Sequence, residues 1–364
     1  MTRTINETVG DVHLTKIPSL FRRSNLPDVV QIIPKVPSVA EGAVILVQVL
    51  STEGKRTYME CTTGESDDLA EGDIIPAVLG KRRMFNGFSC DIPGALAVGD
   101  ILYWSSASGV VGEIRGSDKA WGKQLAVRVL GSAQVAGKYL NIKQAQFIRR
   151  VQQLDTIAPV ICVAGTATNT GKTSTSAKVI QHFKSKGLKV ACAKLTGMAY
   201  LEELRKLSTT DADLVSGFMD AGLPSTCGED VTEIVEIALG TLHHLNQIQP
   251  DVIVVEFGAS FLGPYNAESV LCSPEFKKHI AAVIVSASDP VAAWGAKQLM
   301  DQWGLSITVF TGPVVNSKSF EAYVEETLGV PAEDNRDAIP KIMSLVESKL
   351  EEFRQRRASP VLHV

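Results

Sequence analysis

The sequence predicts an α/β protein: a C-terminal doubly wound parallel sheet preceded by a small all-β domain of barrel or sandwich type. Three observations carry this. From Ala158 onward, continuously apolar runs alternate with segments of helical periodicity, as strands covered on both faces require. Between residues 28 and 140 the runs are short and β-branched, and Gly and Asp punctuate them. At 364 residues the chain has the length of about two domains.

In chain order, residues 1–27 read as an N-terminal extension. The β-rich stretch 28–140 contains Val29–Ile33, Ala43–Leu50 and Leu125–Leu130, with turn signals at Gly72-Asp73, Gly99-Asp100, Ser108-Gly109 and Gly131. Gly72-Asp73 and Gly99-Asp100 each precede an apolar run, which suggests a weak internal repeat. Lys81-Arg82-Arg83, beside Phe85 and Phe88, reads as a solvated hairpin tip, with an anion or nucleic-acid contact as the alternative. Trp104 and Trp121 read as core residues. Residues 141–157 predict a linker helix, because Phe147, Ile148, Val151 and Leu154 have helical spacing. The α/β domain, 158–364, has strands at 159–165, 188–194, 251–257, 280–286 and 305–311. Helices are expected at about 171–186, 229–247, 289–303, 316–328 and 338–356.

In such sheets chemistry gathers beyond the carboxyl ends of the strands. The first strand ends at Gly165 and runs into Thr166-Ala-Thr168-Asn169-Thr170-Gly171-Lys172-Thr173-Ser174. Strand, glycine-bounded loop and helix follow in the order of a phosphate-binding loop. Its backbone N–H groups and the helix N-terminus attract a polyphosphate, Lys172 reaches the phosphate oxygens, and the Thr173 hydroxyl holds Mg²⁺. Five residues separate the two glycines, one more than the common pattern.

Two further strand ends carry charge. Lys194 closes the second strand, where a buried cation needs an anion, either a phosphoryl group or a substrate carboxylate. The alternative is a lysine that snorkels to water. Glu256 closes Val252–Val255 and has the form of the Mg²⁺-side carboxylate. Gly258 and Gly263 let the following loop pass close to the phosphates. Asp211 or Asp213 is a second candidate metal carboxylate, with helix capping as the competing role. His243-His244 reads as surface. The six cysteines show no metal spacing, and Cys162 and Cys192 read as buried thiols. No hydrolase triad and no dinucleotide glycine motif is present, and neither is an Asn-Lys-x-Asp guanine reader, so ATP is the expected nucleotide.

The loop Gly165–Thr173, with its additional residue, resembles that of the dethiobiotin synthetase family, a member of the SIMIBI class of phosphate-loop proteins. The resemblance implies that Lys172 and Thr173 are the phosphate lysine and the Mg²⁺ hydroxyl. It implies that Thr168 lies close to substrate and that Lys194, before Thr196-Gly197, binds substrate and phosphate. It also makes Asp211 or Asp213 and Glu256 metal carboxylates, and Asn316 the adenine reader. Ala167 and Asn169 depart from it, since acids are common there. The β-rich half has no counterpart in dethiobiotin synthetase, which points away from the biotin precursor as substrate. Asp211–Gly222 is similar to a segment of the domain of unknown function 1611 family, whose members are linked to N-acylation of D-amino acids. The N-terminal domain of that family is of Rossmann type, unlike this chain.

A net charge of −4 advertises neither nucleic acid nor an anionic membrane as partner. With no apolar signal core and no run near the ~20 residues that span a bilayer, the expected location is the cytoplasm. The expected function is ATP- and Mg²⁺-dependent transfer of the γ-phosphoryl group to a small acidic substrate, by a homodimeric ligase, synthetase or kinase. A nucleotide-operated switch or cofactor-insertion chaperone is one alternative, and a coenzyme A-dependent N-acyltransferase is another.

Overall fold

The computed structural model describes residues 10–53, 57–84, 87–117 and 122–358. Phe85 and Trp121 lie outside these residues. The chain divides into two compact units. One comprises Met1–Phe147 together with Met198–Glu202 and Met219–Gly228; the other comprises Ile148–Gly197, Glu203–Phe218 and Glu229–Val364.

The first unit is built of β1 (Gly10–His13), β2 (Val29–Ile33), β3 (Val44–Val49), β4 (Tyr58–Glu60), β5 (Ser66–Asp68), β6 (Ile74–Leu79), β7 (Phe88–Asp91), β8 (Ile101–Ser106), β9 (Val110–Ser117), β10 (Ala126–Val135) and β11 (Lys138–Tyr139). Strand β10 pairs with β3 and β8, β3 with β6, β6 with β9, and β9 with β8. These five pairings close a ring, so the unit is a small barrel. Closure removes the sheet edges that a small open sheet exposes. Ile45, Val47, Ile75, Leu102, Trp104, Val127 and Val129 fill it.

The suggested repeat is present as two equivalent turns. Asp73 Oδ2 accepts from Ala70 N at 2.9 Å, and Asp100 Oδ2 accepts from Ala97 N at 2.8 Å. Gly72 N donates to Val49 O as Gly99 N donates to Val129 O. Within the predicted N-terminal extension, Gly10–His13 joins the sheet as β1, paired with β2, and Leu14, Leu20 and Phe21 are buried. The two short segments from later in the chain are held inside this unit. Leu201 N donates to Glu60 Oε2 at 2.8 Å, and Asp220 is paired with Arg22 and Arg23.

The second unit has six parallel strands: β12 (Val160–Gly165), β13 (Val190–Thr196), β14 (Leu214–Gly217), β15 (Val252–Phe257), β16 (Ile280–Ser286) and β17 (Val309–Thr311). Their order is β14-β13-β15-β12-β16-β17. All but the edge strand β14 coincide closely with apolar runs legible in the sequence. The helices are α1 (Lys172–Ser185), α2 (Leu201–Ser208), α3 (Val231–Asn246), α4 (Ala267–Cys272), α5 (Pro274–Lys277), α6 (Pro290–Gln302), α7 (Lys318–Leu328) and α8 (Pro340–Ala358). Helix α1 packs on β12, β13 and β15, and α8 packs on β16. Between them Val179, Ile180, Phe183, Ile342, Met343, Val346 and Phe353 cover one sheet face. Cys162 and Cys192 are fully buried thiols, and burial pushes both upward, Cys192 to about 12. His243 is exposed. No helix among the described residues is long and apolar enough to cross a membrane.

The predicted linker helix is absent. Only Ile142–Ala145 forms a short 3-10 turn, capped by Asn141, and no regular element follows until β12. From Ile148 the chain instead lies as a strap on α3: Val151 N donates to Glu236 O, and Arg150 and Gln152 both bind the Glu236 carboxylate. The helical spacing reflects burial of Ile148 on this face, not a helix. The strap runs so close to α3 that a Cβ at Gly240 would overlap the Arg149 carbonyl oxygen. Gly240→Ala gains about 1 kcal/mol of helix propensity but meets backbone that cannot give way. The expected net result is a loss of about 1–3 kcal/mol in urea unfolding; a variant as stable as the parent would refute this packing.

Candidate functional site

Strand β12 ends at Gly165, and the chain turns through 166–171 into α1. Asn169 and Gly171 both take positive φ, 59° and 91°, and Gly171 is the N-cap of α1 without a side-chain cap. The first-turn amides of α1 are therefore not capped by the N-cap residue, and the helix dipole adds to them, which is the electrostatic basis of an anion site. Thr168, Asn169 and Ser174 are exposed, and Thr170 is buried.

Neighbouring strands brace the loop. Thr166 N donates to Ser286 O at 3.0 Å, and Ser288 N donates to Thr166 Oγ1 at 3.0 Å. Ser286 Oγ donates to the Thr170 carbonyl, and Phe261 N donates to Gly165 O at 3.0 Å. From the far side Asn335 Nδ2 donates to Gly171 O at 3.2 Å and to Thr175 Oγ1 at 2.8 Å. Ser286, Ser288 and Asn335 escaped the sequence reading. They act through tertiary contacts, and no local pattern marks them.

Lys172 is 6% exposed and folds back across the loop, its Nζ donating to Ala167 O at 2.6 Å. Burial pulls its ammonium down to about 8, while the Glu256 carboxylate works in the opposite direction. Glu256 lies on β15, directly beside β12 in register with Val163, and is 3% exposed. Its carboxylate accepts Thr173 Oγ1 at 2.9 Å and Ser176 Oγ at 3.3 Å. A hydroxyl and a carboxylate are hard oxygen ligands of the kind Mg²⁺ takes when phosphates and waters complete its shell. No cluster of three His, Cys, Asp or Glu able to hold a metal exists among the described residues.

Lys194 is 5% exposed, so it does not snorkel to water. It stands in register with Glu256 across β13 and β15, and its Nζ forms an ion pair with Glu203 of α2. Gly258 makes room for it: a Cβ there would sit 2.7 Å from Lys194 Cε and overlap the Thr196 carbonyl oxygen. Gly258 thus serves the lysine, whereas a Cβ at Gly263 would meet nothing.

Asp211 and Asp213 are not brought to this site. Both precede β14 and lie at the amino edge of the sheet, opposite the loop. Asp213 Oδ2 accepts Val190 N at 2.7 Å, at the start of β13, and Lys184 Nζ at 2.7 Å. These contacts hold its carboxyl below the usual range despite opposing burial. Asp211 is an exposed turn residue with a φ of 60°. Asn316 does follow the carboxyl end of β17, with its side chain exposed and its carbonyl accepting from Arg336.

No family model matches the chain, and no curated protein does. Among solved structures it is similar to chloroplast FtsY from Physcomitrella patens, at 17% identity over 55% of this chain and 67% of that one, with a TM-score of 0.38. It is similar to the cell division protein FtsY from Thermotoga maritima, at 18% identity over 57% and 74%, with a TM-score of 0.37. A duf1611 family protein from Anabaena variabilis gives 14% identity over 55% and 62%, with a TM-score of 0.39. At these values the functional argument rests on the loop's own residues.

The buried Lys172 charge weakens the folded protein. Its folded value lies below the unfolded one, so the penalty is full below pH 8 and fades as pH rises toward 10.5. Lys172→Met is expected to raise urea-unfolding stability by about 1–3 kcal/mol at pH 7, and the gain should shrink above pH 8. A variant destabilised at pH 7 would contradict this.

Proposed function

We propose that the chain is an ATP- and Mg²⁺-dependent enzyme that transfers the γ-phosphoryl group to an oxygen of a small acidic substrate. The observation that carries this is the Thr173–Glu256 pair beside the buried Lys172, at the mouth of an anion-binding loop. Phosphoryl transfer asks for in-line positioning and neutralised charge more than covalent chemistry. The loop amides and Lys172 bind the polyphosphate. Thr173 and Glu256 would hold Mg²⁺, which supplies charge neutralisation on the phosphate oxygens when bound.

Lys194 is the acceptor-side cation. It already accommodates the Glu203 carboxylate in a glycine-lined space, which supports an anionic oxygen of substrate taking that place. Asn316 and the segment around Arg336 lie beyond the carboxyl end of β17, where a base would be read. The absence of a guanine-reading motif favours adenine. The product is a phosphate ester, or an acyl or carbamoyl phosphate used in ring closure or amide formation.

Two measurements test the reading. ADP formation from ATP by the purified chain should be stimulated by one member of a panel of small carboxylic acids. Lys172→Ala, which removes a charge-assisted contact of about 1.5–3 kcal/mol, should reduce that rate by about 10–100-fold or more. Tight Mg²⁺–ATP binding with slow turnover that no acid alters would favour a switch instead, and preference for acetyl-coenzyme A over ATP would favour acyl transfer. Independently, calorimetry in buffers of different ionisation enthalpy should show proton uptake on nucleotide binding. Bound phosphate holds Lys172 protonated, so affinity is full below pH 8 and falls up to tenfold per pH unit above it. Affinity that is flat from pH 7 to 10 would argue that Lys172 does not meet the phosphates.

A further inference from the structure

We propose that the β unit carries its own binding site for a small-molecule oxyanion, a carboxylate or phosphate group received by the guanidinium of Arg82. This does not rest on the nucleotide reading, and every residue it uses belongs to the first unit.

The Lys81-Arg82-Arg83 cluster is not a solvated tip. Its three cations have different fates. Lys81 Nζ donates to Gly228 O at 3.2 Å. Arg83 is ion-paired with Asp91 and donates to the Cys90 carbonyl at 2.8 Å. Arg82 is 1% exposed. Its backbone N and O are both bonded to Cys90, each at 3.0 Å, but side-chain Nε and Nη1 have no acceptor.

Among the described residues no ion pair balances that charge. Asp91, the carboxylate of this hairpin, is shared by Arg83 and Arg115. The neighbouring thiols stay neutral, since burial pushes Cys90 up and raises Cys227 to about 11. A guanidinium cannot escape by losing its proton, and a buried charge without a partner is strongly destabilising. The planar fork of donors matches a carboxylate or phosphate with two parallel hydrogen bonds. Gly87 lies beside one end of the fork, where an added Cβ would be 4.0 Å from Nη2. A single buried guanidinium suits a small ligand rather than a polymer backbone, whose phosphates are met by exposed rows of cations.

The test uses the whole chain carrying Lys172→Ala, so that the cation of the phosphate loop does not contribute, and the Arg82 variants separate any remaining response of the loop amides. Thermal unfolding is followed with sodium phosphate or sodium succinate against sodium chloride at equal ionic strength. One of the two anions should raise the midpoint by roughly 2–4 °C, phosphate alone marking a phosphoryl ligand and succinate alone a carboxylate. Adding Arg82→Met should abolish that shift and leave the anion-free protein at least as stable as its parent, because an uncompensated charge is gone. Arg82→Lys should keep only part of the shift, since the fork is lost. The proposal is overturned if neither anion shifts the parent, if Arg82→Met keeps the shift, or if Arg82→Met is markedly less stable than its parent without anion. Should Arg82→Met not fold, calorimetric titration of the Lys172→Ala parent decides: no binding heat with either anion overturns it.

Discussion

The α/β unit is organised around a positive charge held where water barely reaches. Lys172 lies at the start of α1, buried, with its ammonium on a loop carbonyl and a carboxylate on the adjacent strand. An isolated charge of this kind weakens the fold, and burial draws its proton affinity down. The same arrangement makes an anion welcome. A polyphosphate arriving there meets a pre-placed cation, a helix N-terminus and little competing water, and electrostatic interactions gain strength in such surroundings. Under the proposed function, what destabilises the resting protein is what would prepare it to bind.

Strand order makes this possible. Because β15 lies directly beside β12, Glu256 reaches the first turn of α1 and accepts hydrogen bonds from the Thr173 and Ser176 hydroxyls. Because β16 lies on the other side, Ser286 and Ser288 brace the loop from its opposite flank. The loop is thus clamped between two neighbouring strands and locked from the α1 side by Asn335. A cradle fixed by so many tertiary bonds keeps its amides in place before ligand arrives, which limits the ordering cost of binding.

Residues whose role is local were legible in the sequence, and those whose role depends on a distant partner were not. Gly165 to Ser174 could be read because strand, loop and helix are contiguous, and Glu256 because it ends an apolar run. Asp211 and Asp213 misled because β14 is a four-residue edge strand with little apolar signature. Recognising it would have placed both acids before a parallel strand, and so at the wrong edge of the sheet. Ile148 and Val151 imitate a helix because one face of an extended strap is buried on α3. Glu203 as the partner of Lys194 is visible only once α2 has brought it back across the strand end. Arg82 looked like a solvated residue because its neighbours in sequence are basic, while the fold places its guanidinium inside.

The most direct test of the central claim is a crystal structure of the chain with Mg²⁺ and a non-hydrolysable ATP analogue. The account predicts the triphosphate along the amides of residues 168–173, the ion beside Thr173 and Glu256, and Lys172 Nζ moved from the Ala167 carbonyl onto phosphate oxygen. A nucleotide seated elsewhere, with Lys172 still bonded to Ala167, would contradict it.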